Sequence, residues 1–437
     1  MNKYLNIIKM KKITLLIVVL ALPIFLFSQE TEKPKFGINF SGFVRNDVIF
    51  NSRQVVAARG ENDFVLIPDP IILDADNNDI NDVPNYNIIG FTTRLRGKIA
   101  GPDAFGAKTS GLIEMDFLGS TGLSKFDVRL RHAFVKLDWE KNQLLIGQYW
   151  HPMFVTDCFP KTVSFGAGIT FNPFARNPQV KYTRKFSDKL NLSAAILSQG
   201  QYRSKGDHFS QQNSGVPELN IHLQYKTDLF TLGAQFDYQT LKPRIVTDSN
   251  FVTNATISSV SYLAYFKLNL KPITIKLYGI YGQGNDNMVM MGGYAITNKT
   301  YTPDQVSKNI VEYTAYNTMS YWIDLETTGK KVKFGIFAGI SKNLGAKDSV
   351  ITSSYVGRWG NVNSLMRVSP RLVFISNKVK VAFEIEYSTA DYAEQEVDAN
   401  GNAVAGSNIG GISEFGNVTN FNTANNIKGI LSVMYSF

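Results

Sequence analysis

The chain has 437 residues and a formal net charge of +9, a value that a nucleic-acid-binding protein could share. Four lysines of this excess lie within the first twelve residues, in a segment that export would remove, so we expect no nucleic-acid partner. Cys158 is the single cysteine, and one thiol excludes both an intrachain disulfide and a zinc site built from several thiolates. We expect neither a cofactor nor a metal from these features.

The amino terminus has the three parts of a secretory signal peptide. Lysines precede the apolar run Ile13–Phe27, and the small residue Ser28 follows it. This run is too short for a comfortable membrane-spanning helix. The sequence predicts a cleaved signal peptide at residues 1–28 and a single domain at residues 29–437. No run of about eighteen apolar residues recurs after Phe27, so we expect no transmembrane helix.

Alternation of apolar and charged residues organises the next part of the chain. In Phe91–Ala100, Leu95 and Ile99 fall on one side, while Arg94 and Arg96 fall on the other. A period of two places successive side chains on opposite faces of a β-strand. Two further segments follow with the same pattern, so three neighbouring strands would each have one apolar and one densely charged face. That pattern is typical of a membrane barrel with an apolar exterior and a charged interior.

The same alternation recurs to the last residue and predicts roughly sixteen strands. They lie at Phe36–Phe50, Phe91–Ala100, Gly111–Phe117, Asp127–Phe134, Leu144–Trp150, Gln179–Phe186, Leu190–Gln199, Leu219–Lys226, Leu232–Gln239, Val260–Leu268, Ile273–Tyr281, Met319–Glu326, Val332–Ser341, Met366–Phe374, Lys380–Ser388 and Ile427–Phe437. An even number is the rule for single-chain bacterial barrels. We therefore predict an all-β fold, a transmembrane antiparallel β-barrel of about 16 strands.

The lengths of the connections give an independent indication of the same fold. Short connections, such as Glu140–Gln143 and Thr327–Lys330, alternate with long ones, such as His151–Arg176 and Gln283–Glu312. Only Gly119–Ser124 breaks this alternation. Short turns at one end and long loops at the other are typical of outer-membrane barrels.

The predicted interior is rich in charge. Four arginines fall on the inward faces of two strands, and two carboxylates fall on the strand between them: Arg94, Arg96, Arg129 and Arg131 against Glu114 and Asp116. Opposite charges on adjacent strands can form an ion-pair lattice that stiffens the wall. The arginine surplus could also attract small carboxylates or phosphates, and both interpretations can hold together. Arg45, on the charged face of the first strand, is assigned to the same wall.

The connection His151–Arg176 follows the fifth predicted strand and is rich in Phe, Gly and Pro. Its five phenylalanines would be costly to leave in water, so we predict that it folds into the lumen as loop 3 and narrows the pore. The alternative is that it covers the surface between copies of the chain, because large apolar patches also mark interfaces. Asp157, Lys161 and Arg176 are its candidate charges at the constriction.

Two other classes of membrane protein fit the sequence less well. The four histidines are not placed beside a serine nucleophile, and G-x-S-x-G, zinc-ligand and Walker patterns are absent from the sequence, so we expect no catalytic residue and no enzyme. A plugged active transporter needs about twenty-two strands and an amino-terminal plug. A structural or surface-adhesive barrel without substrate-specific transport stays open as the alternative.

Several short segments resemble one porin family. They are Arg94-Leu95-Arg96, Glu114-Met115-Asp116, Arg129–Val135 and Ile146–Trp150. Together they resemble the DcaP-like porins, trimeric outer-membrane channels associated with dicarboxylates. His151-Pro152 departs from the Ser or Thr expected after this motif. The carboxyl-terminal strand, which ends in Phe437, is similar to the strand that the barrel-assembly machinery recognises.

The resemblance implies a location, partners and a function. It implies a homotrimer in the outer membrane of a Gram-negative bacterium, in contact with outer-membrane lipid. It also implies passive diffusion of small hydrophilic solutes, preferentially anionic and dicarboxylate-like. Gln148 and Trp150, within the matching motif, join the predicted pore lining.

Overall fold

The computed structural model describes residues 36–57, 65–119, 126–395 and 409–437, so the predicted signal peptide at 1–28 lies outside the described residues. The strands are β1 (Gly37–Asn51), β2 (Val55–Ala57), β3 (Val65–Pro68), β4 (Asn85–Ile89), β5 (Arg94–Ala100), β6 (Lys108–Asp116), β7 (Arg129–Asp138), β8 (Asn142–Trp150), β9 (Arg176–Lys185), β10 (Leu190–Leu197), β11 (Glu218–Lys226), β12 (Phe230–Leu241), β13 (Ile257–Asn269), β14 (Ile273–Gly282), β15 (Gly292–Ile296), β16 (Tyr313–Thr327), β17 (Val332–Ala346), β18 (Val356–Arg358), β19 (Val362–Ser376), β20 (Val379–Ala393) and β21 (Phe421–Ser436).

Helical structure in the described residues is limited to short turns. These are α1 (Ser210–Asn213), α2 (Pro303–Ser307) and 3₁₀ turns at Asn285–Met288 and Thr352–Ser354. Among the described residues, no helix has the length and hydropathy that a bilayer crossing requires.

Sixteen of the strands form one closed antiparallel barrel. Each pairs with its neighbour along the chain, and β1 closes the ring by pairing with β21, where Val44 lies opposite Tyr435. All sixteen predicted segments are strands of this barrel, which confirms the predicted fold class. The alternation of connections is confirmed as well, since β7–β8, β11–β12 and β19–β20 are joined by short turns and the intervening connections are long.

Strands that the sequence did not reveal lie in the long connections. β4 pairs with β1, β15 pairs with both β16 and β18, and β2 and β3 form a separate hairpin. Several wall strands also extend beyond their predicted ends; β16 begins at Tyr313 rather than Met319. The period-two signal depends on contrast between two environments, and it weakens where both faces of a strand meet polar groups.

The burial pattern is the reverse of that in a water-soluble protein. On β11, Ile221 points outward and is 51% exposed, whereas its neighbour Asn220 points inward and is 2% exposed. The exterior is a belt of large apolar side chains, and the interior holds buried arginines, lysines and carboxylates. Such an exterior fits hydrocarbon and such an interior fits water and ions.

Strict alternation along β7 predicts that His132 faces outward with Leu130 and Phe134, and this prediction is wrong, because β7 contains a β-bulge. Glu114 pairs with His132 and the next residue of β6 pairs with Leu130, which leaves Arg131 as the extra residue. A bulge shifts the alternation by one position. Arg131 and His132 are therefore both buried inside, and the His132 Nε2 lies 3.7 Å from the Glu114 Oε1.

Candidate functional site

The internal loop, residues 151–175, lies within the barrel, as predicted. Side chains of strands β12, β14, β16 and β19 donate hydrogen bonds to its carbonyl groups. They are Gln235 Nε2 to Pro152 (3.0 Å), the Tyr278 hydroxyl to Met153 (2.9 Å), Lys276 Nζ to Phe159 (3.0 Å), Ser320 Oγ to Phe171 (3.0 Å) and Arg367 Nη1 to Ile169 (2.8 Å). The loop's apolar side chains pack against inward aromatic rings; Phe171, for example, lies 6.1 Å from Phe337 between ring centroids. Folding inward removes these rings from water.

One carboxylate attaches the middle of the internal loop to β20. Glu384 accepts hydrogen bonds from the backbone N–H groups of Val163 (2.6 Å) and Ser164 (2.8 Å). From β1, Arg45 Nη2 donates to the Val163 carbonyl at 2.6 Å. Both polar groups of Val163 are thus held by charged side chains, which form stronger hydrogen bonds than neutral ones.

A cavity of about 540 Å³ lies between the internal loop and the wall. Its lining includes seven cationic side chains and a single carboxylate. The cations are Arg45, Arg94, Arg96, Arg131, Lys161, Lys333 and Lys380, and the carboxylate is Glu326. Trp150, Phe159 and Phe165 are among the rings that complete the lining. The cavity is strongly electropositive because its surface carries far more positive than negative groups.

The predicted ion-pair lattice is present beside this cavity. Arg131 Nε lies 2.7 Å from Glu114 Oε1, and Arg131 Nη1 lies 2.7 Å from Asp116 Oδ2. Arg129 also pairs with Asp116, while Arg94 and Arg96 pair with Glu114. Both carboxylates are fully buried and neither lines the cavity. These carboxylates neutralise part of the positive charge of the arginines without lining the cavity themselves. The remaining positive charge faces the lumen.

Phe165 of the internal loop inserts among three of the cavity arginines. The ring centroid lies 5.2 Å from the Arg45 Cζ, 5.1 Å from the Arg94 Cζ and 5.8 Å from the Arg131 Cζ. Guanidinium groups at these distances are attracted to an aromatic face. The contacts orient the arginines without consuming their hydrogen-bond donors.

The structure places the other predicted site residues outside the cavity lining. Arg129 belongs to the ion-pair lattice, and the Gln148 amide donates to the carbonyls of the bulge, including that of Arg131 at 3.0 Å. Asp157 pairs with Lys226 at 2.7 Å. Arg176 is fully buried, with its Cζ 4.5 Å from the Trp150 ring centroid.

Three charged lining residues were missed by the reasoning from sequence: Glu326, Lys333 and Lys380. Alternation assigned each of them to the inward face of its strand. Alternation does not predict the position of a residue along the barrel axis, however, and it does not predict which strands face the same part of the internal loop. A search for inward lysines two to four residues from short turns could have found Lys333 and Lys380, but it would also have returned many others.

No protein-family model and no curated protein sequence matches the chain. Solved structures do match over nearly its whole length. The outer-membrane channel DcaP of Acinetobacter baumannii superposes with a TM-score of 0.64 at 14% identity, over 94% of this chain and 100% of that chain. OmpT of Vibrio cholerae gives 0.53 at 10% identity, over 94% and 100%. The anion-selective porin from Comamonas acidovorans gives 0.52 at 10% identity, over 92% and 100%.

The fold is that of the outer-membrane porins and channels, a sixteen-stranded barrel with a loop folded inside. Of these three structures, the DcaP channel has the highest TM-score, in agreement with the resemblance found in the sequence. At such low identity the likeness concerns the fold alone.

Proposed function

We propose that this protein is an outer-membrane porin through which small hydrophilic anions diffuse passively, dicarboxylates among them. The observation that carries the proposal is the cavity lining, in which seven cations accompany one carboxylate. The Comamonas acidovorans porin, which has the same fold, is anion-selective and gives the proposal further support. Export by a cleaved signal peptide at residues 1–28 and residence in a Gram-negative outer membrane belong to the same proposal.

Fixed cations in a narrow lumen raise the local concentration of anions and lower that of cations. Arginine suits carboxylates because its planar guanidinium can donate two parallel hydrogen bonds. Lys161 on the internal loop and the arginines on the wall line the same cavity. A solute with two carboxylates could therefore contact both sides at once, whereas chloride could contact only one.

The reversal potential in a planar bilayer under a potassium chloride gradient tests this function. We expect anion selectivity that weakens as the salt concentration rises, because salt screens the fixed charges. Succinate should reduce the chloride current by competing for the cavity. Cation selectivity of the wild-type protein would overturn the proposal, and an absence of conductance would favour the structural or adhesive barrel.

The double variant Lys161→Gln/Lys380→Gln assigns the selectivity to the cavity. Neither lysine belongs to the ion-pair lattice, so the loss of charge should leave that lattice intact. We expect the anion-to-cation permeability ratio to fall about two- to threefold. The matched control is Lys242→Gln/Lys299→Gln, which removes the same charge from the long loops outside the cavity. An equal fall in the control would show that the effect is one of total charge.

We also propose that the protein assembles as a homotrimer. One solved structure with the same fold is the trimer form of Vibrio cholerae OmpT, with a TM-score of 0.51 at 9% identity, over 92% of this chain and 99% of that chain. In this chain, Ile38 and Phe40 pack over Gly97 and are themselves exposed, which gives an apolar surface that a second copy could cover. Unboiled gels should give an oligomer band that heating converts to monomer. A monodisperse monomer in mild detergent would contradict this prediction.

A further inference from the structure

A second cluster of titratable side chains lies where the internal loop begins. His151, the first residue of the loop, has its Nε2 2.7 Å from Glu218 Oε1 and 4.0 Å from Asp237 Oδ1. Glu218 begins β11, and Asp237 lies on β12. All three side chains are buried, their ligand atoms lie within 4.8 Å of one another, and none of them lines the cavity.

The charges of this cluster do not balance. Two carboxylates face one imidazole, and within the described part of the chain no lysine or arginine forms an ion pair with either carboxylate. Asp237 and Glu218 also share a hydrogen bond, which requires a proton on one of the two carboxyl groups. The other contacts are to amides: Asn220 Nδ2 lies 2.9 Å from Asp237 Oδ1, and Asn287 Nδ2 lies 3.5 Å from both oxygens of Glu218. A buried carboxylate is costly unless a cation or a proton neutralises it.

Two amide oxygens near the cluster accept no hydrogen bond from any residue that the structure describes. They belong to Asn287, 1% exposed and next to Glu218, and to Gln235, 4% exposed and two residues before Asp237 on the same face of β12. Buried acceptors in folded proteins nearly always have a partner. Each of these oxygens indicates a missing donor or cation beside it. A metal ion is such a cation, and amide oxygens are among its ordinary ligands.

We propose that His151 Nε2, Glu218 and Asp237 bind one divalent cation of the zinc type. One imidazole nitrogen among carboxylate oxygens favours zinc over calcium, which prefers oxygen ligands throughout. The Met153 N–H lies 3.2 Å from His151 Nδ1, so the metal-free ring carries its proton on Nε2 and donates it to Glu218. Binding of the cation at Nε2 would move that proton to Nδ1, which could then no longer accept from the Met153 N–H, so this 3.2 Å contact would be given up.

The cation would join three parts of the molecule that are distant in sequence. His151 belongs to the internal loop, Glu218 to β11 and Asp237 to β12, and Asn287 of the buried 3₁₀ turn Asn285–Met288 contacts Glu218 through its amide nitrogen. The next residue of that turn, Met288, accepts a hydrogen bond from the Phe174 N–H at 2.9 Å, near the other end of the internal loop. The site would therefore fix both ends of the loop that narrows the pore.

Metal analysis of the full-length protein tests the proposal. The detergent-solubilised protein is dialysed against EDTA, freed of chelator and incubated with zinc chloride or calcium chloride in separate samples. We expect one zinc ion per chain after gel filtration and no retained calcium. The variant Glu218→Gln/Asp237→Asn should lose the zinc, yet it should fold because it replaces charges by isosteric amides. His222→Gln, on the same strand but outside the cluster, is the matched control and should keep it.

Cobalt chloride gives a second readout that reports the ligands directly. Cobalt in this site should give visible absorption bands, and His151→Gln should weaken and shift them. Failure of zinc to bind, equal binding to the double variant, or binding of calcium alone would overturn the proposal. Zinc removal is expected to leave the anion preference of the pore in place, since no ligand lines the cavity, so this inference and the proposed function fail separately.

Discussion

Arg131 is the most enclosed arginine of the ion-pair lattice. It is 1% exposed and bonds both Glu114 and Asp116. Alternation alone suggests a wet lumen that tolerates substitution, but replacing this side chain would leave two buried carboxylates with weaker partners. We expect Arg131→Met to lower the free energy of unfolding by about 3–5 kcal/mol. Urea unfolding, followed by the gel shift between folded and heat-denatured protein, measures the loss.

Arg96→Met is the control for this prediction. Arg96 also pairs with Glu114, but its side chain is 39% exposed. An ion pair so open to water contributes little, on the order of 1 kcal/mol or less. If the two variants were equally stable, the lattice would not be part of the framework that stabilises the barrel.

Lys161 makes the anion preference depend on pH. It lies in the internal loop, outside the membrane-spanning strands, and its side chain reaches the cavity. Desolvation by the surrounding protein, with repulsion from Lys276, lowers the pKa of Lys161 to about 8. The charged form predominates below this pKa, so anion preference should be full near pH 6.5 and should fall as the pH rises through 8. Reversal potentials between pH 6.5 and 9.5 measure the change.

Lys161→Arg should remove this pH-dependent step, since a guanidinium stays protonated throughout that range. The variant keeps the positive charge and changes only its titration. A step of the same size in the variant would assign the pH dependence to another group.

The attachment of the internal loop to β20 is the element on which the pore's width depends. Glu384→Gln replaces a carboxylate that accepts two backbone hydrogen bonds by an amide with a single acceptor oxygen. Losing a hydrogen bond to a charged group costs about 1.5–3 kcal/mol. We expect a noisier open-channel current and a larger mean conductance in single-channel recordings.

The variant Glu326→Gln distinguishes the effect of detaching the internal loop from the effect of removing one negative charge. It removes one inward carboxylate from a nearby wall strand, but Glu326 bonds Lys333 and Arg371 and not the loop backbone. We expect this variant to increase anion preference and to leave the current noise unchanged. Equal noise in both variants would show that Glu384 acts through its charge alone.

The barrel as a whole has two unlike ends. Short turns such as 328–331 lie at the end that also holds Phe437, and the long connections lie at the other. In the orientation usual for outer-membrane barrels, the long connections are extracellular. Proteases added to intact cells should therefore cut within 52–84 or 394–420 and spare 328–331. Preferential cutting at 328–331 would reverse the orientation.

The number of barrel strands, most of their faces and the length pattern of the connections could be predicted from the sequence. These features are local, because adjacent side chains on a strand point in opposite directions whatever the rest of the chain does. Lipid on one face and water on the other impose different residue types, so the alternation of, for example, Ile221 and Asn220 is visible in the sequence. The apolar side chains of residues 151–175 similarly predicted that this loop is buried away from water, and it packs inside the barrel.

The contacts inside the barrel follow from the tertiary structure and could not be predicted from alternation. Val163 and Glu384 are 221 positions apart, and their contact depends on the ring closing and on the relative heights of the strands. The same dependence brings Lys380 to the arginine wall and His151 to Asp237. The bulge at Arg131 is also non-local in origin, since it appears only when β7 is paired with β6. Alternation fixes the direction of a side chain, but closure of the sheet fixes its neighbours.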